Sequence, residues 1–146
     1  MQNFLKVSVF AALVALSGSM EALAADSSPT IGDAHELIGE LIGRSMVSYD
    51  PERKYLFNNY QGNGCKSSIK GGGYVNQEID WAAISSVSSG GRVVYVYGSV
   101  IEKKGDGSSS ISVANVYFVP DEVTEKRLGK AMAFLMNSCA KKSKFD

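Results

Sequence analysis

Two cysteines, Cys65 and Cys139, constrain the fold of this chain more than any other feature. Two cysteines allow a single disulfide, which would tie the middle of the chain to its C-terminal end. Chain-entropy arguments give a crosslink of this span about 4 kcal/mol of stabilisation, against the roughly 5–15 kcal/mol typical of small domains. The alternatives are two free thiols or a metal pair. A metal pair is disfavoured because there is no Cys-x-x-Cys spacing and His35 is the only histidine.

The N-terminal segment has the three parts of a secretory signal peptide. Residues 1–6 carry one lysine, residues 7–16 form an uncharged apolar run, and Ala22-Leu23-Ala24 matches a cleavage site. The apolar run is shorter than the roughly 20 residues that span a bilayer, and no later run is longer. We therefore predict removal of residues 1–24, a periplasmic or secreted mature chain without a membrane span, and a single domain over residues 25–146. Because that compartment is oxidising, the two cysteines are expected to pair.

Composition is that of a globular protein with no excess of charge. Apolar residues make up 45% of the chain and charged residues 21%. Lysine plus arginine and aspartate plus glutamate number 15 each, so the net charge is zero. Nucleic-acid binding depends on an excess of basic residues that neutralise phosphates, and we expect none here.

The first periodic segment after the leader predicts a helix. Asp33 is the expected N-cap, with Glu36 as its capping-box partner, and the helix is expected to end near residues 47–49, before Asp50-Pro51. Gly39 and Gly43 fall on one face of this helix. Because glycine is unfavourable in a helix interior, the pair predicts a neighbour that packs closely there.

Alternation with a period of two then predicts five or six strands. The clearest are residues 92–102 and 111–119, joined as a β-hairpin by a polar loop. The preceding segments are expected strands at 55–60, 65–70 and 74–81, with 82–87 ambiguous between strand and helix. Asp121 is the expected N-cap of a final helix whose apolar stripe ends at Cys139.

These elements predict an α+β fold. An antiparallel sheet of five or six strands would carry one N-terminal helix and one C-terminal helix, both packed on it. A disulfide from Cys139 to Cys65 would fasten the final helix to the sheet.

No pattern in the chain predicts catalysis, a metal site or a cofactor. His35-Glu36 begins an H-E-x-x-H-like sequence, but Gly39 replaces the second histidine that zinc needs. His35 is therefore interpreted as a surface residue of the first helical turn, and a small hydrolase using it as the base remains an alternative. Glu78 and Asp80 share a strand face and are interpreted as solvated.

Candidate binding residues concentrate in the predicted hairpin. Tyr95, Tyr97 and Tyr117 are expected to cluster across it if the register allows, since tyrosine is enriched in recognition surfaces. Ordinary cross-strand packing is the alternative for these rings. The hairpin loop adds Lys103, Lys104 and Asp106, in the position where binding residues often lie.

These observations predict a non-catalytic periplasmic binding protein. Its partner would be another envelope or exported protein, and it would act as an inhibitor or an immunity factor. The alternatives are a small-ligand carrier, with an apolar pocket between the sheet and the final helix, or a structural subunit of an envelope complex.

Overall fold

The computed structural model describes residues 28–52, 54–72 and 75–140, and the predicted leader lies outside these residues. The elements in chain order are α1 (Ile31–Arg44), β1 (Phe57–Asn63), β2 (Lys66–Gly71), β3 (Val75–Ser89), β4 (Val93–Lys104), β5 (Ser109–Phe118) and α2 (Glu122–Cys139). The predicted α+β class is confirmed, with five strands in one antiparallel sheet and one helix at each end.

The strands follow one another across the sheet in chain order, so every neighbouring pair is antiparallel. The register forms a continuous row of facing residues through all five strands: Gln61, Ser68, Glu78, Ile101 and Ile111. Side chains that neighbour this row along each strand point to the opposite face.

The sheet is closed at one end by Ser48, which precedes β1. The Ser48 N–H donates to the Phe118 carbonyl at 2.9 Å, and the Phe118 N–H donates back at 2.6 Å. On its other side Ser48 bridges to Leu56, next to β1. One short segment thus joins the first and last strands, and the rings of Phe57 and Tyr117 lie 5.6 Å apart across the join.

Helix α1 begins and ends earlier than predicted. Thr30 is the N-cap, and its hydroxyl accepts from the Asp33 N–H, while the Asp33 carboxylate accepts from the Thr30 N–H. Asp33 is therefore the capping-box partner rather than the cap. The helix ends at Arg44 because Met46 takes a left-handed conformation (φ 54°) that turns the chain into the Ser48 bridge.

Both helices pack on one face of the sheet and on each other. Helix α1 lies against β1, and α2 lies against β3 and β4. The core between them contains the largest fully buried side chains: Trp81, Tyr117, Phe57, Ile38, Ile42, Ile69, Ile79, Leu128, Met132, Leu135, Val47 and Val94. Asp121 caps α2 as predicted, by accepting from the Thr124 N–H at 2.7 Å.

The predicted disulfide is present and joins Cys65 to Cys139. Cys65 lies in the turn between β1 and β2, and Cys139 is the last residue of α2. The bond therefore fastens the C-terminal end of the final helix to the tip of the first hairpin.

Strand β3 is longer than predicted and absorbs the ambiguous 82–87 segment. Its pairing with β4 shifts register between Ile79 and Ile84, and β4 shifts against β5 near Gly98. Gly98 has φ 141°, and a Cβ there would lie 2.4 Å from the Ala83 carbonyl oxygen. Only glycine permits this close approach of two strands.

Candidate binding surface

The sheet face turned away from the helices is uncovered in the described part of the molecule. We call it the open face and define it by these outward residues: Gln61, Ser68, Glu78, Asp80, Tyr95, Tyr97, Ser99, Ile101 and Ile111. The predicted alternation of β4, with Tyr95, Tyr97 and Ile101 on one side, is confirmed by burial of the intervening Val94, Val96 and Val100.

The open face carries large apolar side chains in contact with solvent. Tyr97 and Ile101 are 39% and 41% exposed, and Ile111 is 69% exposed, as is Val113 farther along the β5 edge. The other large exposed apolar residues of the described ranges, Met46 and Val123, lie outside it. Contiguous apolar exposure of this kind is uncommon on monomeric soluble proteins and marks interaction sites.

A groove of about 530 Å³ crosses the open face. Every strand contributes to its lining, through Gln61, Gly62, Asn63, Lys66, Ser67, Ser68, Glu78, Ile79, Asp80, Ala83, Ser99, Ile101 and Ile111. Ile101 and Ile111 face each other in the register, so one wall of the groove is apolar.

The charges in and beside the groove compensate one another. The Lys103 ammonium donates to the Glu78 carboxylate, which faces Ile101 in the neighbouring strand. Lys66 lies directly opposite Asp80. The groove therefore presents no net charge, in agreement with the balanced composition of the chain.

The predicted cluster of three tyrosines is wrong. Tyr95 and Tyr97 stack on the open face with ring centroids 6.3 Å apart and planes inclined by 11°. Tyr117 pairs with Val94 and is fully buried on the helix-covered face. The register places Val116 and Ala114 opposite the two exposed tyrosines, so Tyr117 cannot join them.

Tyr117 belongs to a buried polar network that the sequence did not reveal. Its hydroxyl donates to Gln77 Oε1 at 2.7 Å, and Gln77 Nε2 donates to Asn115 Oδ1 at 3.2 Å and to Glu102 at 3.3 Å. Burial raises the pKa of Tyr117 well above its usual value. These hydrogen bonds lie on the helix-covered side of the sheet, and the buried Asn115 Nδ2 is left without a partner in the described structure.

The hairpin loop places Lys103 and Lys104 beside the open face, with Asp106 at its tip. Asp106 accepts hydrogen bonds from the Ser108 N–H at 2.9 Å and from the Ser108 hydroxyl at 2.6 Å. These bonds hold the pKa of the Asp106 carboxyl below its usual value. Asp106 thus shapes the turn, while the two lysines remain exposed.

His35 is buried, so its interpretation as a surface residue is wrong. Its Nε2 lies 2.7 Å from the Gly64 carbonyl oxygen and its Nδ1 lies 2.6 Å from the Tyr60 hydroxyl. A carbonyl only accepts, so Nε2 donates and Nδ1 accepts from Tyr60. Both nitrogens are occupied by structural partners, which leaves no site for a proton to be taken from a substrate.

The close neighbour predicted for the glycines of α1 is present at only one of them. A Cβ at Gly39 would meet the Tyr60 ring at 3.5 Å, whereas nothing lies within 4 Å of the position of a Cβ at Gly43. The contact between α1 and β1 is tighter at another glycine, Gly62 of β1. The predicted strand stopped at residue 60, but β1 continues through Gly62 and its backbone approaches the His35 ring.

The described ranges contain no group of three or more His, Cys, Asp and Glu side chains that could hold a metal ion. Within the same ranges, no helix is both long and apolar enough to cross a membrane.

No protein-family model matches the chain, and neither a curated protein nor a solved structure proves similar to it. The open face is therefore interpreted from its own geometry. Ile111 and Val113 were not among the predicted binding residues. Alternation alone groups them with the buried Asn115 and Tyr117, and it is the register shift near Gly98 that sets Ile111 opposite the outward Ile101.

Proposed function

We propose that this protein is a non-catalytic binding protein, exported to the periplasm or beyond, that recognises another exported protein through its open face. One observation carries the proposal. Both helices cover the same side of the sheet, and the other side leaves Tyr97, Ile101 and Ile111 in solvent. Apolar and aromatic side chains concentrated in this way supply the core of a protein interface.

The charge pattern indicates what the partner contributes. Lys103 already pairs with Glu78, and Lys66 faces Asp80, so the open face attracts neither strong acids nor strong bases. A weakly charged projection with apolar side chains fits the groove beside Ile101 and Ile111. An inhibitor would bind a projection of this kind on an exported enzyme, and an immunity factor would bind one on an exported toxin.

The same geometry disfavours two alternatives. A small-ligand carrier would need space between the sheet and α2, but Trp81, Leu128, Met132 and Leu135 fill that interface and are fully buried. A hydrolase based on His35 would need a free imidazole nitrogen, and both are engaged. A structural subunit of an envelope complex remains compatible with the open face, because it too binds proteins.

The proposal is tested by capture followed by a direct binding measurement. Immobilised wild-type protein is compared with Ile101→Glu and with Val123→Glu in a bacterial envelope extract. Val123 is 67% exposed on α2, away from the open face, so it is the matched control for adding a charge to an exposed apolar position. A retained protein is then identified, purified and titrated against all three forms by calorimetry.

The expected result is binding by the wild type and by Val123→Glu, with affinity at least about tenfold lower for Ile101→Glu. Circular dichroism and thiol titration confirm that each variant is folded with its disulfide formed. Equal affinity of all three forms would show that the open face is not the binding surface, and an extract that yields no partner would contradict the proposal as a whole.

A further inference from the structure

Strand β5 is an uncovered edge of the sheet. On one side it pairs with β4, and on the other side its only partner in the described chain is Ser48, which bonds to Phe118. Between Ser109 and Ala114 every residue except the half-buried Ser112 is exposed. The backbone N–H and C=O groups on the outer side of this stretch are therefore available for pairing with another strand.

The edge lacks the charges, the proline and the cover that protect many edge strands, although the register shift of β4 near Gly98 lies beside it. Natural edge strands carry charges or proline, or are short or covered. Strand β5 reads Ser-Ser-Ile-Ser-Val-Ala-Asn-Val-Tyr-Phe over ten residues, without a charged residue or a proline. At the opposite edge, β1 packs against α1. In the described chain β5 has no packed helix of this kind.

We infer that β5 pairs antiparallel with β5 of a second copy of this chain, about a two-fold axis at Ser112. Antiparallel pairing about this position brings Ile111 of each copy beside Val113 of the other. These are the two most exposed large apolar residues of the described chain, at 69% each. Two five-stranded sheets would become one ten-stranded sheet.

The pattern of β5 fits a second copy in particular. A strand that pairs with itself about a two-fold axis must not oppose like charges, and β5 carries no charge at all. The apolar stripe of each copy continues into that of the other at the shared edge. Because pairing occurs in the plane of the sheet, both grooves stay accessible on the same side. Formation of the dimer therefore neither requires nor prevents partner binding through the open face.

Size-exclusion chromatography with light scattering tests the inference on the disulfide-bonded protein purified after export, from micromolar to submillimolar concentration. The wild type is expected to elute with twice the monomer mass at the higher concentrations. Val113→Lys places a charge at the shared edge and is expected to raise the dimer dissociation constant by about tenfold or more. Tyr97→Lys adds the same charge to the open face on β4, one strand inward, and is expected to remain dimeric.

Amide hydrogen exchange keeps the test decisive if a lysine variant folds poorly. Residues Ser109–Ala114 of the wild type should become more protected as protein concentration rises, and the amides of β1 should not. Monomeric behaviour over the whole range, or a dimer unaffected by Val113→Lys, would overturn the inference. Protection of β5 only after another protein is added would also overturn it, because the occupant of the edge would then be a strand of that protein.

Discussion

The backbone of Gly62 lies so close to the His35 ring that a Cβ at residue 62 would stand 2.0 Å from Nδ1. Gly62→Ala must therefore displace His35 or open the β1–α1 contact. We expect the free energy of unfolding to fall by about 1–3 kcal/mol, the usual effect of overpacking. Urea denaturation followed by circular dichroism measures the change.

Gly43→Ala is the matched control for that substitution. It makes the same change in the interior of α1, where no atom lies within 4 Å of the added methyl group. The free energy of unfolding should rise by about 0.5–1 kcal/mol, because alanine favours the helix. A Gly62→Ala protein as stable as the wild type would contradict the packing of His35 described above.

The imidazole of His35 should be held as a single tautomer. The Gly64 carbonyl can only accept, so the proton sits on Nε2 while Nδ1 accepts from the Tyr60 hydroxyl. Since this is the only histidine of the chain, its nitrogen resonances in a long-range ¹H–¹⁵N spectrum can be assigned directly. For the neutral imidazole we expect the Nε2–H pattern.

Tyr60→Phe should remove the hydroxyl donor to His35 at a cost of about 1 kcal/mol in unfolding free energy. The Nε2–H pattern should persist, because the Gly64 carbonyl still needs a donor, and only the Nδ1 resonance should move on loss of the hydroxyl bond. Shifts of a freely exchanging imidazole in the wild type would show that neither bond persists in solution.

Breaking the disulfide should destabilise the fold strongly. Cys65 and Cys139 are 74 positions apart, so the bond removes a large part of the entropy of the unfolded chain. Cys65→Ser/Cys139→Ser should lose about 4 kcal/mol in unfolding free energy. Denaturation of this double variant beside the oxidised wild type measures the loss, and midpoints that coincide would mean that the crosslink contributes nothing.

One fully buried and one partly buried phenol, Tyr117 and Tyr60, should make the protein sensitive to alkali. Burial raises the pKa of both Tyr60 and Tyr117 above the usual value of about 10, with the Ser67 hydroxyl and the Trp81 indole opposing it at Tyr60. Below pH 10 both phenols keep their protons in the folded and the unfolded chain. Above it only the unfolded chain releases them, so stability is lost as the pH rises.

Absorbance at the tyrosinate band, recorded together with circular dichroism, tests this expectation. At least two of the seven tyrosines should ionise only as the protein unfolds. Complete ionisation at a pH where the native spectrum persists would contradict the burial of these two rings.

The parts of the fold that were predictable depend on short-range patterns. The apolar stripe of α2, its Asp121 cap and the β4–β5 hairpin each follow from residues a few positions apart, and all three are present. The disulfide followed from the cysteine count and the expected compartment. The start of α1 was misplaced because Thr30 and Asp33 both suit a cap, and only their reciprocal hydrogen bonds decide between them.

The binding surface was less predictable because it depends on register and on contacts distant in sequence. The grouping of Tyr117 with Tyr95 and Tyr97 failed because the residues facing each other across β4 and β5 are fixed by the whole sheet, including the register shift near Gly98. The burial of His35 depends on a backbone contact with Gly62, which the first-turn position of the histidine did not indicate.

The Ser48 bridge has a consequence for how the molecule assembles. Each of the four hairpins pairs two strands that are consecutive in the chain, so the hairpins can form one after another. The Ser48–Phe118 bridge cannot form in this local way. Its two backbone hydrogen bonds require β5 to be in place first, because the two residues are far apart in the chain. Non-local pairing of this kind slows folding. We therefore expect the native state to form only after the Ser48 segment and β5 have come together.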